Sequence, residues 1–227
     1  TDRKNRMVLL NVKTRSKQTL LTDETGEIPT PSFSPDGKWL TYYRQGTNEY
    51  GVVYVYNIAE HKEYPVTDRW YDSNSPVFSS DGKYLIFASA RDFNPIYSSI
   101  EWNFAYREME GIYLVMLAKD TPSPFLPKDD QVNTGDEKSK NPPADTPKGK
   151  KDKGNATADS QTNSTRIDVD GIADRIVKLP VGAGNYGGFV CDGSHVWYSE
   201  RGSVHVFDLK DQKDEVVAER ARMMASA

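Results

Sequence analysis

The sequence predicts an all-β chain, a segment of a β-propeller made of consecutive four-stranded antiparallel blades, about three to four of them in an incomplete ring. Three observations lead there. Asp-Gly recurs with the same preceding Phe, at Phe33-Ser34-Pro35-Asp36-Gly37, Phe78-Ser79-Ser80-Asp81-Gly82 and Phe189-Val190-Cys191-Asp192-Gly193. Each copy runs into an aromatic, β-rich stretch: Lys38-Trp39-Leu40-Thr41-Tyr42-Tyr43, Lys83-Tyr84-Leu85-Ile86-Phe87 and Ser194-His195-Val196-Trp197-Tyr198. Gly37 and Gly82 lie 45 residues apart, within the range of about 40–50 residues of a four-stranded blade. Helical solenoids share that period, so content decides. Asp-Gly between two β-type runs marks a hairpin, because Gly accepts positive φ and Asp hydrogen-bonds its own turn.

The elements follow in order. Residues 1–28 read as the second half of a blade, with strands at Met7 to Val12 and Gln18 to Leu21. Residues 29–68 are a whole blade, with strands at Pro31 to Ser34, Lys38 to Arg44, Val52 to Asn57 and Tyr64 to Thr67. Residues 69–127 are a blade carrying an aromatic insertion at 91–110, and residues 164–219 are another blade, ending in strands at Ser203 to Leu209 and Glu215 to Ala218. Gly82 and Gly193 are 111 residues apart, and the insertions at 91–110 and 128–163 account for the excess over one period. Residues 220–227 form a tail.

The stretch from Lys128 to Asn163 contains no aromatic residue, Leu, Ile, Met or Cys, and its seven Lys balance seven Asp or Glu. It cannot bury enough apolar surface to offset its ordering entropy, so a disordered polyampholytic linker between two blades is expected. A closed ring of six or seven blades needs roughly 270–315 residues. At 227 residues the chain therefore reads as a segment of a longer protein.

Composition narrows the function. The net charge of −4 and the lack of a basic stripe argue against a nucleic-acid partner. No run of 18 apolar residues predicts a membrane-spanning helix. The single cysteine, Cys191, excludes an internal disulfide and sits in a repeat turn, where a small buried residue is expected. His61, His195 and His205 have no second His or Cys at ligand spacing, and no serine-nucleophile, phosphate-loop or zinc signature occurs. No catalytic residue, cofactor or metal is expected in this chain. Asp168-Val169-Asp170-Gly171 offers two carboxylates that could begin a calcium loop, but the chain turns at once into the strand-like Ile176-Val177-Lys178-Leu179-Pro180. A structural turn is favoured, with Asp174 and Arg175 as an ion pair or cap. The insertion at 91–110 differs in being rich in aromatics: Phe93, Trp102, Phe104 and Tyr106 are the candidate substrate-facing residues, and packing onto the blade beneath is the alternative.

Three blocks carry a resemblance to a known family. They are Arg166-Ile167-Asp168-Val169-Asp170-Gly171-Ile172-Ala173-Asp174-Arg175-Ile176-Val177, then Leu179-Pro180-Val181-Gly182-Ala183-Gly184-Asn185-Tyr186, and Ile112 to Phe125 followed by the charged linker. In this order they resemble the propeller region of tricorn-type serine proteases, from Pro31 to about Asp208. The resemblance implies part of the family's second, seven-bladed propeller. It also implies a parent protein with a PDZ domain and a catalytic core, assembled as a homo-oligomer, whose propellers gate or position peptides. The expected partners are peptides and the remaining domains of the same polypeptide. No catalytic residue of the family maps onto this chain. A cytoplasmic location is expected, with the periplasm as the alternative. The propeller of a prolyl-oligopeptidase or dipeptidyl-peptidase type enzyme and a TolB-like binding propeller are the alternative functions.

Overall fold

The computed structural model describes residues 4–23, 31–92, 108–125, 164–221 and 223, together with the backbone of 95–97 and 104–106. These residues belong to one compact unit, Thr1–Phe125 with Thr162–Ala227. A second unit, Leu126–Gln161, lies outside the described residues, and with it the linker expected at 128–163.

Among the described residues the architecture is all-β apart from one turn of 3-10 helix at Ile172–Arg175. Strands β1 (Arg6–Leu10) and β2 (Lys17–Thr22) form a two-stranded sheet. The first blade is β3 (Ser32–Phe33), β4 (Trp39–Gln45), β5 (Gly51–Asn57) and β6 (Lys62–Pro65), each antiparallel to the next. The second blade opens with β7 (Ser73–Phe78) and β8 (Tyr84–Ser89). A separate hairpin follows, β9 (Pro95–Tyr97) against β10 (Phe104–Tyr106). The blade then resumes with β11 (Gly111–Met116) beside β8 and closes with β12 (Ile176–Lys178) beside β11. The third blade is the meander β13 (Tyr186–Cys191), β14 (His195–Glu200), β15 (Ser203–Asp208) and β16 (Lys213–Glu219).

Two expectations are corrected here. The charged insertion does not separate two blades. It interrupts the second blade between its third and fourth strands, because Ile176 pairs with Val115 and Lys178 with Tyr113. Residues up to Lys178 therefore belong to the blade begun at Ser73, and the boundaries at 127 and 164 do not stand. An outer-strand connection faces solvent, so a long insertion there leaves the ladder intact.

The third Phe-x-x-Asp-Gly copy is also a different turn. Phe33 and Phe78 pair with Leu40 and Leu85, three residues beyond the turn Gly, but in the third blade the residue in that register is Cys191, paired with Val196. The cause is a missing hydroxyl. Ser34 Oγ donates to Asp36 Oδ1 (2.7 Å) and accepts from Trp39 N (3.0 Å), and Ser79 does the same with Asp81 (2.6 Å) and Tyr84 N (2.9 Å). In that register Asp192 stands in the serine's place, and its Oδ1 caps Ser194 N and His195 N directly, at 2.7 Å each, in a tighter hairpin. Glycine is required at these turns for two reasons. Gly82 and Gly193 have φ of 70° and 96°. A Cβ on Gly82 would also lie 2.7 Å from Thr165 Oγ1, and one on Gly193 would lie 2.6 Å from Asp81 Cγ.

The blades face one another through three apolar clusters. Met7 with Leu40, Tyr42, Val52, Tyr54 and Tyr56 joins the two-stranded sheet to the first blade. Trp39, Val53 and Val55 meet Phe78, Leu85, Phe87 and Val115 between the first and second blades. Ile86, Ile112 and Leu114 meet Tyr186, Phe189, Val196 and Phe207 between the second and third. Alternate side chains of one strand thus serve opposite clusters, as the period of two requires.

Candidate functional site

The aromatic insertion leaves the second blade on the side opposite the Asp-Gly turns. Of its four candidate residues, Phe93 and Trp102 lie outside the described residues. Phe104 and Tyr106 fall in β10, across from Tyr97 and Pro95. What reads as an aromatic loop thus contains a hairpin of its own.

Its base is tied to two blades. On the incoming side, the Arg91 guanidinium lies 5.5 Å from the Tyr71 ring centre and 5.1 Å from that of Tyr113, and Arg91 Nε donates to Ser89 Oγ at 3.2 Å. Cation–π contacts of this kind favour Arg, whose flat cation stacks. Asp92 N donates to Met109 O (3.0 Å), and Lys178 Nζ on β12 donates to both Asp92 carboxylate oxygens at 2.6 and 2.7 Å. Burial, with the Asp92 charge in support and Arg91 opposing, pushes the Tyr113 hydroxyl up to about 12. On the outgoing side, Glu108 pairs with Arg201 at 2.5 Å. Glu110 accepts from Asn74 Nδ2 (2.9 Å) and Tyr186 N (3.2 Å), and its carbonyl accepts from Gly184 N (2.9 Å). The hairpin therefore rises from a fixed base spanning the second and third blades.

Beside that base lies a feature sequence reasoning missed. The connection from β6 to β7 carries Trp70, 80 % exposed, and Tyr71, 42 % exposed, and the turn from β4 to β5 carries Tyr50, 45 % exposed. Two hydrogen bonds join these loops: Asn48 Nδ2 donates to Arg69 O (2.9 Å) and Gly51 N to Asp72 Oδ1 (2.7 Å). Trp70 N donates to Asp68 Oδ1 at 3.1 Å. The available signal was a Trp inside the polar run Thr67-Asp68-Arg69-Trp70-Tyr71-Asp72, where no strand needs it.

The other candidate groups are occupied structurally. Arg175 donates to the carbonyls of Met116, Leu117, Asp168, Asp170 and Gly171, clasping the chain where it returns to the second blade. Asp168 accepts from Lys119 N and pairs with Arg166, and Asp170 pairs with Lys119. The Asp-Val-Asp-Gly run is a clasped turn. Among the described residues no group of three or more His, Cys, Asp or Glu gathers as a metal site. Cys191 is buried, and burial pushes its thiol up to about 12, far from a reactive thiolate. His195 sits between Asp192 (3.0 Å) and Asp208 (3.6 Å), at a cleft of about 320 Å³ with Trp197 and Lys213. His205 pairs with Asp214, and His61 neighbours Gln18 and Tyr56. Among the described residues no helix is long and apolar enough to cross a membrane.

Comparison with known proteins finds the same fold. The family model of the tricorn protease second β-propeller domain matches residues 1–226. Tricorn protease homolog 1 of Streptomyces coelicolor is 33 % identical over 163 residues, which cover 72 % of this chain and 14 % of that protein. The chain thus corresponds to a small part of its relative's length. In the crystal structure of the tricorn protease, 20 % of the chain superposes on 94 % of this one with a TM-score of 0.69 at 15 % identity. TolB from Acinetobacter baumannii shares the fold at a TM-score of 0.53 and 13 % identity, over 96 % of this chain and 38 % of its own.

Proposed function

Because the chain belongs to the tricorn protease second β-propeller family, we propose that it is a non-catalytic propeller segment of a tricorn-like serine peptidase, gating or positioning peptides for a catalytic core outside this chain. The observation that carries the reading is the fixed base of the insertion. Lys178 and Arg201, from the second and third blades, hold Asp92 and Glu108 on its two sides. A hairpin raised on a rigid scaffold is a recurrent way to present a binding surface. The parent protein, in this reading, is a homo-oligomeric peptidase.

The test is incubation of the purified 227-residue chain with unfolded casein fragments. The expected result is retention of peptide without cleavage. Cleavage that survives purification and is blocked by a serine-directed inhibitor would sink the non-catalytic reading.

A further inference from the structure

The three exposed rings beside the insertion are not explained by the packing of the described blades. Tyr50, Trp70 and Tyr71 lie on loops of the first and second blades, away from the clusters that join blade to blade. We propose that they form a docking platform for an extended peptide carrying an apolar or aromatic side chain. The proposal rests on the peptide-handling reading above and names the part of the peptide that is recognised and the residues that recognise it.

Preorganisation is the first argument. The Asn48 and Gly51 hydrogen bonds fasten the two loops together. Asp68 caps Trp70 N, and Arg91 stacks on Tyr71. The rings are therefore presented by ordered backbone, and little entropy is lost when a ligand settles on them. Rigid aromatic side chains on fixed loops are the usual anchors of recognition surfaces.

Size and charge choose the occupant. At these exposures the three rings offer on the order of 300 Å², whereas a stable protein pair needs about 800 Å² from each partner. The platform is too small for a second copy or a folded domain and large enough for one or two side chains of a peptide. Glu49 and Asp68 are exposed around it with Arg69, and Arg91 stacks on Tyr71, so both charge signs are present and an apolar side chain is preferred over a charged one. The base of the insertion adjoins the platform through the Arg91–Tyr71 stack.

The experiment is fluorescence polarisation of a short fluorescein-labelled Gly/Ser peptide with a central Phe-Leu pair. The same peptide with Ser in place of that pair is the control. Both are titrated with the 227-residue chain and with Trp70→Ala and Tyr50→Ala. Both substitutions remove exposed side chains, and circular dichroism melts should match those of the parent chain. The expected result is binding of the Phe-Leu peptide, little binding of the control, and an affinity loss of at least about fivefold in Trp70→Ala. Binding untouched by both substitutions, or equal for the two peptides, would overturn the platform and leave the peptide-handling reading standing. Failure of the parent chain to bind either peptide would overturn both. A dimer that Trp70→Ala converts to monomer would assign the rings to self-association instead.

Discussion

β8 and β14 occupy the same place in neighbouring blades, the second strand of each meander, and their sequences differ in kind. Tyr84-Leu85-Ile86-Phe87-Ala88-Ser89 is buried at every residue, while His195-Val196-Trp197-Tyr198-Ser199-Glu200 is fully buried only at Val196 and Tyr198. The reason is the number of faces covered. Leu85 and Phe87 pack toward the first blade, and Tyr84, Ile86 and Ala88 pack toward the third. β14 sends Val196 and Tyr198 to the second blade, and its other face carries His195 and Trp197 at the open cleft. Among the described residues, a continuous apolar run and an alternating one are therefore the same structural element with both faces packed or one.

The sharpest way to break this comparison is to truncate an aromatic ring in each strand. Phe87→Ala leaves a cavity between two blades and is expected to cost about 3–5 kcal/mol. Trp197→Ala removes a larger side chain from a half-open face and is expected to cost about 1 kcal/mol or less. Urea unfolding measures both, as a shift in midpoint at constant slope. Equal losses would show that the third blade does not behave as a blade covered on one face.

A smaller effect is expected at the outer connections. In the third blade the turn from β15 to β16 is held by one carboxylate: Asp208 Oδ1 accepts from Lys210 N and Asp211 N, at 2.8 Å each. The corresponding connection of the second blade is interrupted by the insertion, and the Arg175 guanidinium gathers five carbonyls in its place. Arg175→Ala is expected to cost about 2–3 kcal/mol, because it leaves part-buried carbonyls without a charged donor. Arg175→Lys should recover little, since a single ammonium cannot span the spread that a planar fork reaches. Asp208→Ala should cost less than Arg175→Ala, because its two backbone contacts lie in solvent. If Arg175→Lys were as stable as the parent chain, the clasp would owe its strength to charge alone.

The same reasoning explains what was legible in the sequence. The first blade could be read strand by strand, because its turns are short and its period is undisturbed between Gly37 and Gly82. The end of the second blade could not. Its fourth strand contains only Ile176, Val177 and Lys178 and pairs with residues some 60 positions earlier, so no local pattern announces it. Asp192-Gly193 looks like a third copy of the repeat, yet the Ser hydroxyl that sets the register of the other two is absent. At the candidate site the aromatic insertion stood out by composition. Its anchors did not, because Lys178 on β12 and Arg201 in the turn from β14 to β15 reach it from far away in sequence. Trp70 carried a visible signal, but a lone Trp in a turn shows its exposure only once the loops are placed.

The smallest expected effect compares the turns themselves, and it is read by pH. The Asp36 carboxylate is 6 % exposed and that of Asp192 is 48 % exposed. For Asp36, burial pushes the carboxyl up, but hydrogen bonds from Ser34 Oγ, Lys38 N and Thr165 N outweigh it and hold the group below its usual value of 3.8. Asp192 is also held low: burial raises it, and the donors Ser194 N and His195 N overcome that rise. A carboxyl depressed in the folded state contributes stability that is present above the unfolded value and is lost as the pH falls through the folded one. Asp36→Asn should therefore flatten the acid limb of the stability curve below about pH 4. Asp192→Asn should flatten it less, because solvent screens its half-exposed contacts. Urea midpoints collected from pH 6 down to about pH 2.5 separate the two cases. A larger change in slope for Asp192→Asn would mean that the open turn of the third blade is the more tightly held, and would reverse the ranking of the two turns that follows from which faces are covered.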